Sequence, residues 1–348
     1  MSCSGEYLSH VQSDNLVQIS PVVASRLKKA KYGVFNHSAV ELCHWTKKSL
    51  TSESTCYKHK FYGISTHRCM EFTPTAMNCE NRCVYCWRPA EFYDTLKMPQ
   101  ELVDDPETIV NKLLEERRKL IVGYFGNAKA RKEKVSESLV PQHYAISLSG
   151  EPSMYPKLPE LIKYLKGLPE TKSIFLVTNG QEPDMLFRLA NEDSLPTQIY
   201  LSTNASNKKM FHLVNRPKYK DAWERWKRSL VFLSVAKART VVRLTMIRGY
   251  NDSLDFVGEF ADLIKIGNPH FIEIKSYMHV GMSTLRLEST HMLEHSEVQS
   301  FSNALASELR KFSIMDESQI SRIVVLQNKQ RHVNRWIHGY VNDPTVPG

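Results

Sequence analysis

No apolar run in the chain approaches the roughly 20 residues that cross a bilayer as a helix, so a helical membrane span is excluded. The first twenty residues, MSCSGEYLSHVQSDNLVQIS, lack an apolar h-region and any enrichment in arginine, and they include Glu6 and Asp14. A secretory or mitochondrial leader is therefore not expected, and the default location is cytoplasmic. Internal repeats and low-complexity linkers are missing too, which leaves one large domain or two ordinary ones in 348 residues. Cysteine is scarce but unevenly spread: of seven, six lie between Cys43 and Cys86, and Cys3 stands apart as a plain thiol. The stretch CENRCVYC (79–86) holds three of them and lacks a fourth. A structural zinc site is normally closed by four ligands, and a disulfide framework belongs to small secreted chains with an even count. Three thiolates spaced C-x3-C-x2-C suit a cubane iron–sulfur cluster with one iron left free for a substrate.

With 42% hydrophobic and 24% charged residues the chain can bury a sizeable core and be soluble and globular. A net charge of +9 points towards a polyanionic partner. Short strand-like runs alternate with helical patterns, the sign of parallel βαβ units. The strand candidates are 70–75, 144–148, 173–178, 198–202, 240–246 and 271–276. Asp105 is a candidate N-cap with Pro106 opening a helix and Glu107 in its first turn. KYKDAWERWKRSLVFLSVA reads as an amphipathic helix, and DFVGEFADLIKIG (255–267) as another that stops at its glycine. Six β-then-α steps fit an open, incomplete parallel (β/α)6-type barrel of the α/β class. In such barrels function sits at the C-terminal strand ends, which here read SLSGEP, LVTNG, LSTNAS and EIKSY.

The cysteine triplet with Tyr85 before its last member resembles the radical S-adenosylmethionine superfamily. Cys43, Cys56 and Cys69, spaced by thirteen and thirteen residues with Cys69 ten before Cys79, form a second triplet. Together with HRCMEFTP, CVYCWRP, SLSGEPSMYP, FLVTNGQEP, NRPKYKDAWERW, VVRLTMIRGYN and FIEIKSY, this spacing is similar to the tRNA 4-demethylwyosine synthases. The likeness runs from about Asn36 to about Asp343.

The resemblance implies a partial radical-SAM barrel (69–312), preceded by an arm with an auxiliary-cluster segment (1–68) and followed by a C-terminal strand and basic tail (313–348). It implies that Cys79, Cys83 and Cys86 hold a 4Fe–4S cluster whose open iron chelates S-adenosylmethionine. Cys43, Cys56 and Cys69 would hold a second 4Fe–4S cluster. Gly150 and Glu151 would meet the cosubstrate's amino group, with Asn179 and Ser202 as further strand-end contacts and the Tyr85 backbone bordering the adenine. Ser149 replaces the first glycine of that motif. Lys58 would form a Schiff base with pyruvate, the alternative anchor being chelation of the keto acid by an open iron of the second cluster; within CYKHK Lys60 is a rival, and nearby His67 and Arg68 could hold the carboxylate. Asn204 and Asn215 stand where the family typically has aspartate, keeping hydrogen-bonding shape but losing charge.

The implied reaction condenses two carbons of pyruvate with N1-methylguanosine, 3′ of the anticodon in phenylalanine tRNA, as a lyase in wybutosine biosynthesis. An external reductase is expected as electron donor, since about forty residues before Cys43 carry no Gly-rich loop or βαβ span for a flavin domain. A monomer is expected. KARKEK (129–134), the region from Lys208 to Arg239, and the tail NKQRHVNRWIHGY (328–340) could meet phosphates. Trp336 could stack on a base, whereas Trp223 and Trp226 fit core and rim. Two alternatives are another radical-SAM enzyme with an auxiliary cluster and a non-catalytic zinc-bearing RNA-binding protein.

Overall fold

The computed structural model describes residues 10–13, 16–94 and 97–337; Cys3 and the last residues of the basic tail lie outside them. Two short strands, β1 (His10–Ser13) and β2 (Leu16–Ile19), pair as an antiparallel ribbon. Helix α1 (Pro21–Lys29) leads into a hairpin of β3 (Tyr32–Phe35) and β4 (Ser38–Glu41). Two short helices, α2 (His44–Thr51) and α3 (Tyr57–Tyr62), precede β5 (Cys69–Thr73). There follow α4 (Pro106–Val122), α5 (Lys132–Ser138), β6 (His143–Ile146), α6 (Leu158–Gly167) and β7 (Ser173–Thr178). Next come α7 (Pro183–Asn191), β8 (Gln198–Ser202), α8 (Lys208–Asn215), α9 (Ala222–Val235) and β9 (Arg239–Met246). The chain continues through α10 (Val257–Gly267), β10 (Phe271–Ser276), α11 (His295–Leu309) and a final hairpin, β11 (Phe312–Ser318) and β12 (Ile323–Asn328).

One ten-stranded sheet has the order β11-β12-β10-β9-β8-β7-β6-β5-β4-β3. Its six central strands, β5 to β10, are all parallel. Antiparallel hairpins extend it at each end, so the sheet stays open. This is the α/β partial barrel that the alternation of strand and helix implies. The six expected strands fall where the sequence places them, within one or two residues at their ends.

Side chains on a strand alternate between faces, and here the two faces differ in kind. Met70, Phe72, Ile146, Leu176, Leu201, Leu244 and Ile274 pack outward in the main core with helical residues such as Ile109, Leu161, Trp226 and Phe260. The inner face holds a smaller cluster, Ala145, Phe175, Tyr200, Val241 and Phe271, closed by Phe61 and Tyr62 of α3. Between these apolar positions the same inner face carries Glu71, Arg243, Glu273 and Lys275. Helix α3 lies against that face, its Tyr62 ring edge-on to Phe271 at 5.5 Å. It stops at Gly63, whose φ of 72° is left-handed. Residues after β12 then cross α3, Ile337 N–H donating to the Tyr62 carbonyl at 3.0 Å.

Two helix ends fall where the sequence places them, Asp105 before α4 and Gly267 closing α10, but differ in detail. Pro106 opens α4, but the Asp105 side chain makes no cap; it accepts from Lys157 Nζ at 2.7 Å instead. Helix α10 includes Gly267, and the left-handed residue after it is Asn268 (φ 38°). Gly267 is small for another reason: a Cβ there would sit 2.5 Å from a Leu230 methyl. Trp223 and Trp226 stack on each other at 5.0 Å inside the core, as their helical spacing implies.

Candidate active site

The chain from Met77 to Cys86 forms no helix or strand, so its backbone groups need partners elsewhere. Cys79 N–H donates to the Asp94 carbonyl (3.0 Å), Arg82 N–H to Asn215 (3.0 Å) and Val84 N–H to Val214 (2.9 Å). Thus pinned, the loop spreads its three thiols over the C-terminal ends of the parallel strands. Asn179, just after β7, points its Nδ2 at Cys79 Sγ (3.5 Å). The Cys83 thiol donates to Asn215 Oδ1 (3.8 Å). Cys86 Sγ lies 3.7 Å from the Tyr93 hydroxyl, itself 3.4 Å from Ser149 Oγ. Asn204, after β8, donates to the Tyr85 hydroxyl (2.6 Å) and accepts from Thr245 N–H (2.9 Å). Three of the four expected strand ends, SLSGEP, LVTNG and LSTNAS, therefore touch the loop or a direct neighbour of it. Ser202 meets the frame through its carbonyl, which accepts from Trp226 Nε1 at 3.0 Å.

Gly150 permits a close approach of backbone to backbone. Its φ is 78°, and the Glu151 N–H beside it donates to the Asn78 carbonyl at 2.7 Å. The Glu151 carboxylate is heavily engaged: Oε1 accepts from Ser153 Oγ and Thr178 Oγ1, both at 2.6 Å, and Oε2 from Asn179 N–H at 2.7 Å. It ties the ends of β6 and β7 together. Glu80, which sequence reasoning passed over, is fully buried beside it, pushed well up in pKa by burial and by Glu151. Its Oε2 accepts from Asn179 Nδ2 (3.2 Å), while Oε1 has no hydrogen-bond partner among the described residues.

The second triplet sits at three element starts. Cys43 precedes α2 and accepts from Thr46 N–H at 3.4 Å; Cys56 precedes α3; Cys69 opens β5. Burial, then Glu71 and Cys56, pushes the Cys43 thiol up to about 11. Burial raises Cys69 as well, followed by Cys43, with Lys58 opposing. In the other triplet burial and then Cys86 push Cys83 up to about 12. Buried thiols whose anions repel one another are costly when ionised, and a bound cation reverses that cost. All six are free thiols. Among the described residues no three His, Cys, Asp or Glu side chains converge on a single metal ion. Each triplet offers three free thiols, donors of the kind that an iron–sulfur cluster takes.

Glu71 and Arg88 connect the two triplets. Arg88, two residues after Cys86, pairs with Glu41 (2.6 Å) and approaches Glu71 (3.7 Å), two residues after Cys69. Below them, inside the sheet, Lys58 is 9% exposed, its Nζ lying 4.7 Å and 5.0 Å from the ring centres of Phe175 and Tyr200. Its expected rival Lys60 instead points outward to Asp316 (3.0 Å) and the Glu317 carbonyl (2.6 Å). His67 and Arg68 also point away from the inner face: His67 binds Glu137 at 2.5 Å, and Arg68 Nε donates to the Val140 carbonyl at 3.1 Å. The charges of the inner face come from the strands. Arg243 pairs with Glu273 at 2.9 Å, Tyr62 donates to Glu273 (2.8 Å), and Lys275 lies 5.8 Å from the Tyr57 ring centre. Burial and then Arg243 lower the Lys275 pKa. Charges at alternate positions of otherwise apolar strands, as in FIEIKS, were the available sign of these residues.

Comparison with known proteins places these features in a family. The pattern of the radical SAM superfamily matches residues 73–261, and that of wyosine base formation matches residues 266–328. The S-adenosyl-L-methionine-dependent tRNA 4-demethylwyosine synthase of Pyrococcus abyssi is 42% identical over 307 residues, covering 87% of this chain and 88% of its own. That of Methanocaldococcus jannaschii is 38% identical over 312 residues, covering 88% and 96%. The human protein is 37% identical over 318 residues, which span 90% of this chain but 42% of its own. Among solved structures, TYW1 with a lysine–pyruvate adduct bound has a TM-score of 0.80 at 35% identity, covering 92% of this chain and 99% of that one. An archaeal TYW1 crystal structure has a TM-score of 0.73 at 33% identity, covering 92% and 100%. On the identity and coverage of these relatives, the chain belongs to the radical-SAM tRNA 4-demethylwyosine synthase family.

Proposed function

We propose that this enzyme condenses two carbons of pyruvate with N1-methylguanosine beside the anticodon of phenylalanine tRNA, forming 4-demethylwyosine. One observation carries the reading: Lys58, buried two residues from Cys56, stands over the rings of Phe175 and Tyr200 on the inner face of the sheet. A relative of the same fold has been solved with pyruvate joined to a lysine.

Cys79, Cys83 and Cys86 would hold one 4Fe–4S cluster, and Cys43, Cys56 and Cys69 the other. When bound, the clusters and S-adenosylmethionine supply the electron, the radical initiator and a Lewis-acidic iron. The chain's own residues do the rest. Gly150, the Glu151 region, Asn179, Ser202 and the Tyr85 backbone frame the cosubstrate's place. Lys58 fixes the keto acid as an imine. Phe175, Tyr200 and Phe61 keep water from that linkage. Exposed basic residues on 129–134 and Lys208–Lys209 supply phosphate contacts for tRNA. A separate electron donor and a cytoplasmic location belong to the same proposal. Among the described residues no helix is long and apolar enough to cross a membrane.

Borohydride reduction with labelled pyruvate tests the lysine. The label is expected on Lys58, and Lys58→Ala should lose both label and nucleoside product while still cleaving S-adenosylmethionine. Lys58→Arg should fail likewise, because a guanidinium keeps the charge but forms no imine. Normal product from either variant would refute the reading. Turnover by the purified chain with NADPH alone would refute the separate donor.

A further inference from the structure

The inner face of the sheet holds more positive charge than its carboxylates engage. Glu273 is fully occupied: Oε1 accepts from Tyr62 (2.8 Å), and Oε2 from Arg243 Nε (3.0 Å) and Tyr57 (3.4 Å). Arg243 is committed in turn to Glu273 and the Tyr57 hydroxyl (2.9 Å). Glu71 lies against Arg88. Among the described residues neither Lys58 nor Lys275 has a carboxylate within ion-pair distance. Lys58 Nζ is set over Phe175 and Tyr200, and Lys275 Nζ is 5.8 Å from the ring of Tyr57, the residue next to Lys58. Lys275 lies one residue from the C-terminal end of β10, in register with Thr245 of β9, on the side where the strand ends gather. Glu273 and Cys56 act on Lys275 without direct contact; an ammonium so placed is costly, and an anion against it removes the cost.

We propose that Lys275 is the carboxylate anchor of the keto acid that Lys58 holds, making the chamber a two-lysine site selective for free α-keto acids. This rests on the reading of Lys58 above. An α-keto acid presents an electrophilic carbonyl carbon and, one bond away, a fixed negative charge. One lysine must act as nucleophile, and the other is left to pair with the carboxylate. In the first step Lys58 Nζ bonds to C2, and the keto oxygen leaves as water carrying both amine hydrogens. The carboxylate keeps its charge throughout, so its partner is needed before and after the imine forms. Arg243 is already paired, and His67 and Arg68 face away, which leaves Lys275 as the cation for this task among the described residues of the inner face.

Anaerobically loaded protein is titrated with labelled pyruvate or uncharged methyl pyruvate, reduced with borohydride, digested and mapped. Borohydride adds hydride to C2 and solvent supplies the proton on nitrogen, leaving a stable secondary amine. Wild type should carry the adduct on Lys58 and prefer pyruvate strongly. Lys275→Met should still be labelled on Lys58 but need at least about tenfold more pyruvate, with its preference over the ester largely gone. Lys275→Arg should recover most of the preference, which a merely structural role would not restore. The proposal is overturned if Lys275→Met keeps the wild-type midpoint and preference, or if the label maps to Lys275. An absence of label on Lys58 in wild type would overturn the imine reading itself and is distinguishable from both.

Discussion

A methyl group at Gly150 would stand 1.9 Å from the Thr75 carbonyl oxygen and 2.6 Å from that of Asn78, at a φ of 78°. Both oxygens belong to backbone leading into the Cys79 loop, so no flexible side chain can yield. Gly150→Ala should therefore push the loop away from the strand ends. Strain at such a site costs on the order of 1–3 kcal/mol before the clash is counted. The expected outcome is a folded protein that takes up the iron of the second triplet normally and loses S-adenosylmethionine cleavage by at least about tenfold. Unimpaired cleavage would show that the contact is not needed. Asn204 makes the opposite case. Its Oδ1 accepts from Thr245 N–H, which an aspartate would also do, and the Tyr85 hydroxyl can rotate to donate to the second oxygen. Asn204→Asp should change the thermal midpoint by only a few degrees and leave cleavage within about threefold. A collapse of cleavage would mean that the lost charge matters.

Element ends set the chemistry, and one of them is pH-sensitive. His270, just before β10, accepts at Nδ1 from Thr240 N–H (3.0 Å) and lies 2.9 Å from Thr240 Oγ1. Burial, then Arg331 and Arg239, lowers its pKa to about 4. The unfolded chain takes up this proton near pH 6.5 and the folded chain only near pH 4, so the unfolded state binds more protons in between. Stability from this group is intact above about pH 6.5 and is lost as pH falls towards 4. Between pH 7 and 5.5 the wild-type thermal midpoint should fall further than that of His270→Asn, whose amide oxygen can accept from Thr240 without titrating. Equal falls would contradict the assignment. The same strands show what sequence patterning reveals. Six parallel strands were legible because each is an apolar run bounded by turn residues. The β3–β4 hairpin was not singled out, and of β11–β12 only one C-terminal strand was expected, within 313–348: YGVF and SAVE are four residues long, and FSIMDES carries acidic residues and is mostly half-exposed. Helix α3 spans six residues, too few to show a helical period. The cysteines were legible because thiols are rare and their spacing is distinctive. Glu273 and Lys275 were not, since which face of a strand looks into the chamber depends on what covers the other face.

At the scale of the whole molecule the two triplets have different neighbours and should fail differently. Cys79, Cys83 and Cys86 sit among the strand ends, whereas Cys43, Cys56 and Cys69 sit beside Lys58. Anaerobically purified protein should contain about eight irons with matching sulfide, and zinc in their place would rule out the catalytic account. Alanine at Cys79, Cys83 or Cys86 should abolish S-adenosylmethionine cleavage. Alanine at Cys43, Cys56 or Cys69 should abolish nucleoside product yet spare part of that cleavage, and equal loss in all six folded variants would contradict the division. The central claim is that a single chamber joins both triplets to a keto-acid lysine for work on tRNA. Its most direct test is anaerobic turnover with S-adenosylmethionine, a reductant, labelled pyruvate and phenylalanine tRNA carrying N1-methylguanosine, read by nucleoside mass spectrometry. The account predicts 4-demethylwyosine carrying two pyruvate carbons, formed only when every component is present. S-adenosylmethionine cleavage without any such nucleoside, in protein loaded with both clusters, would contradict it.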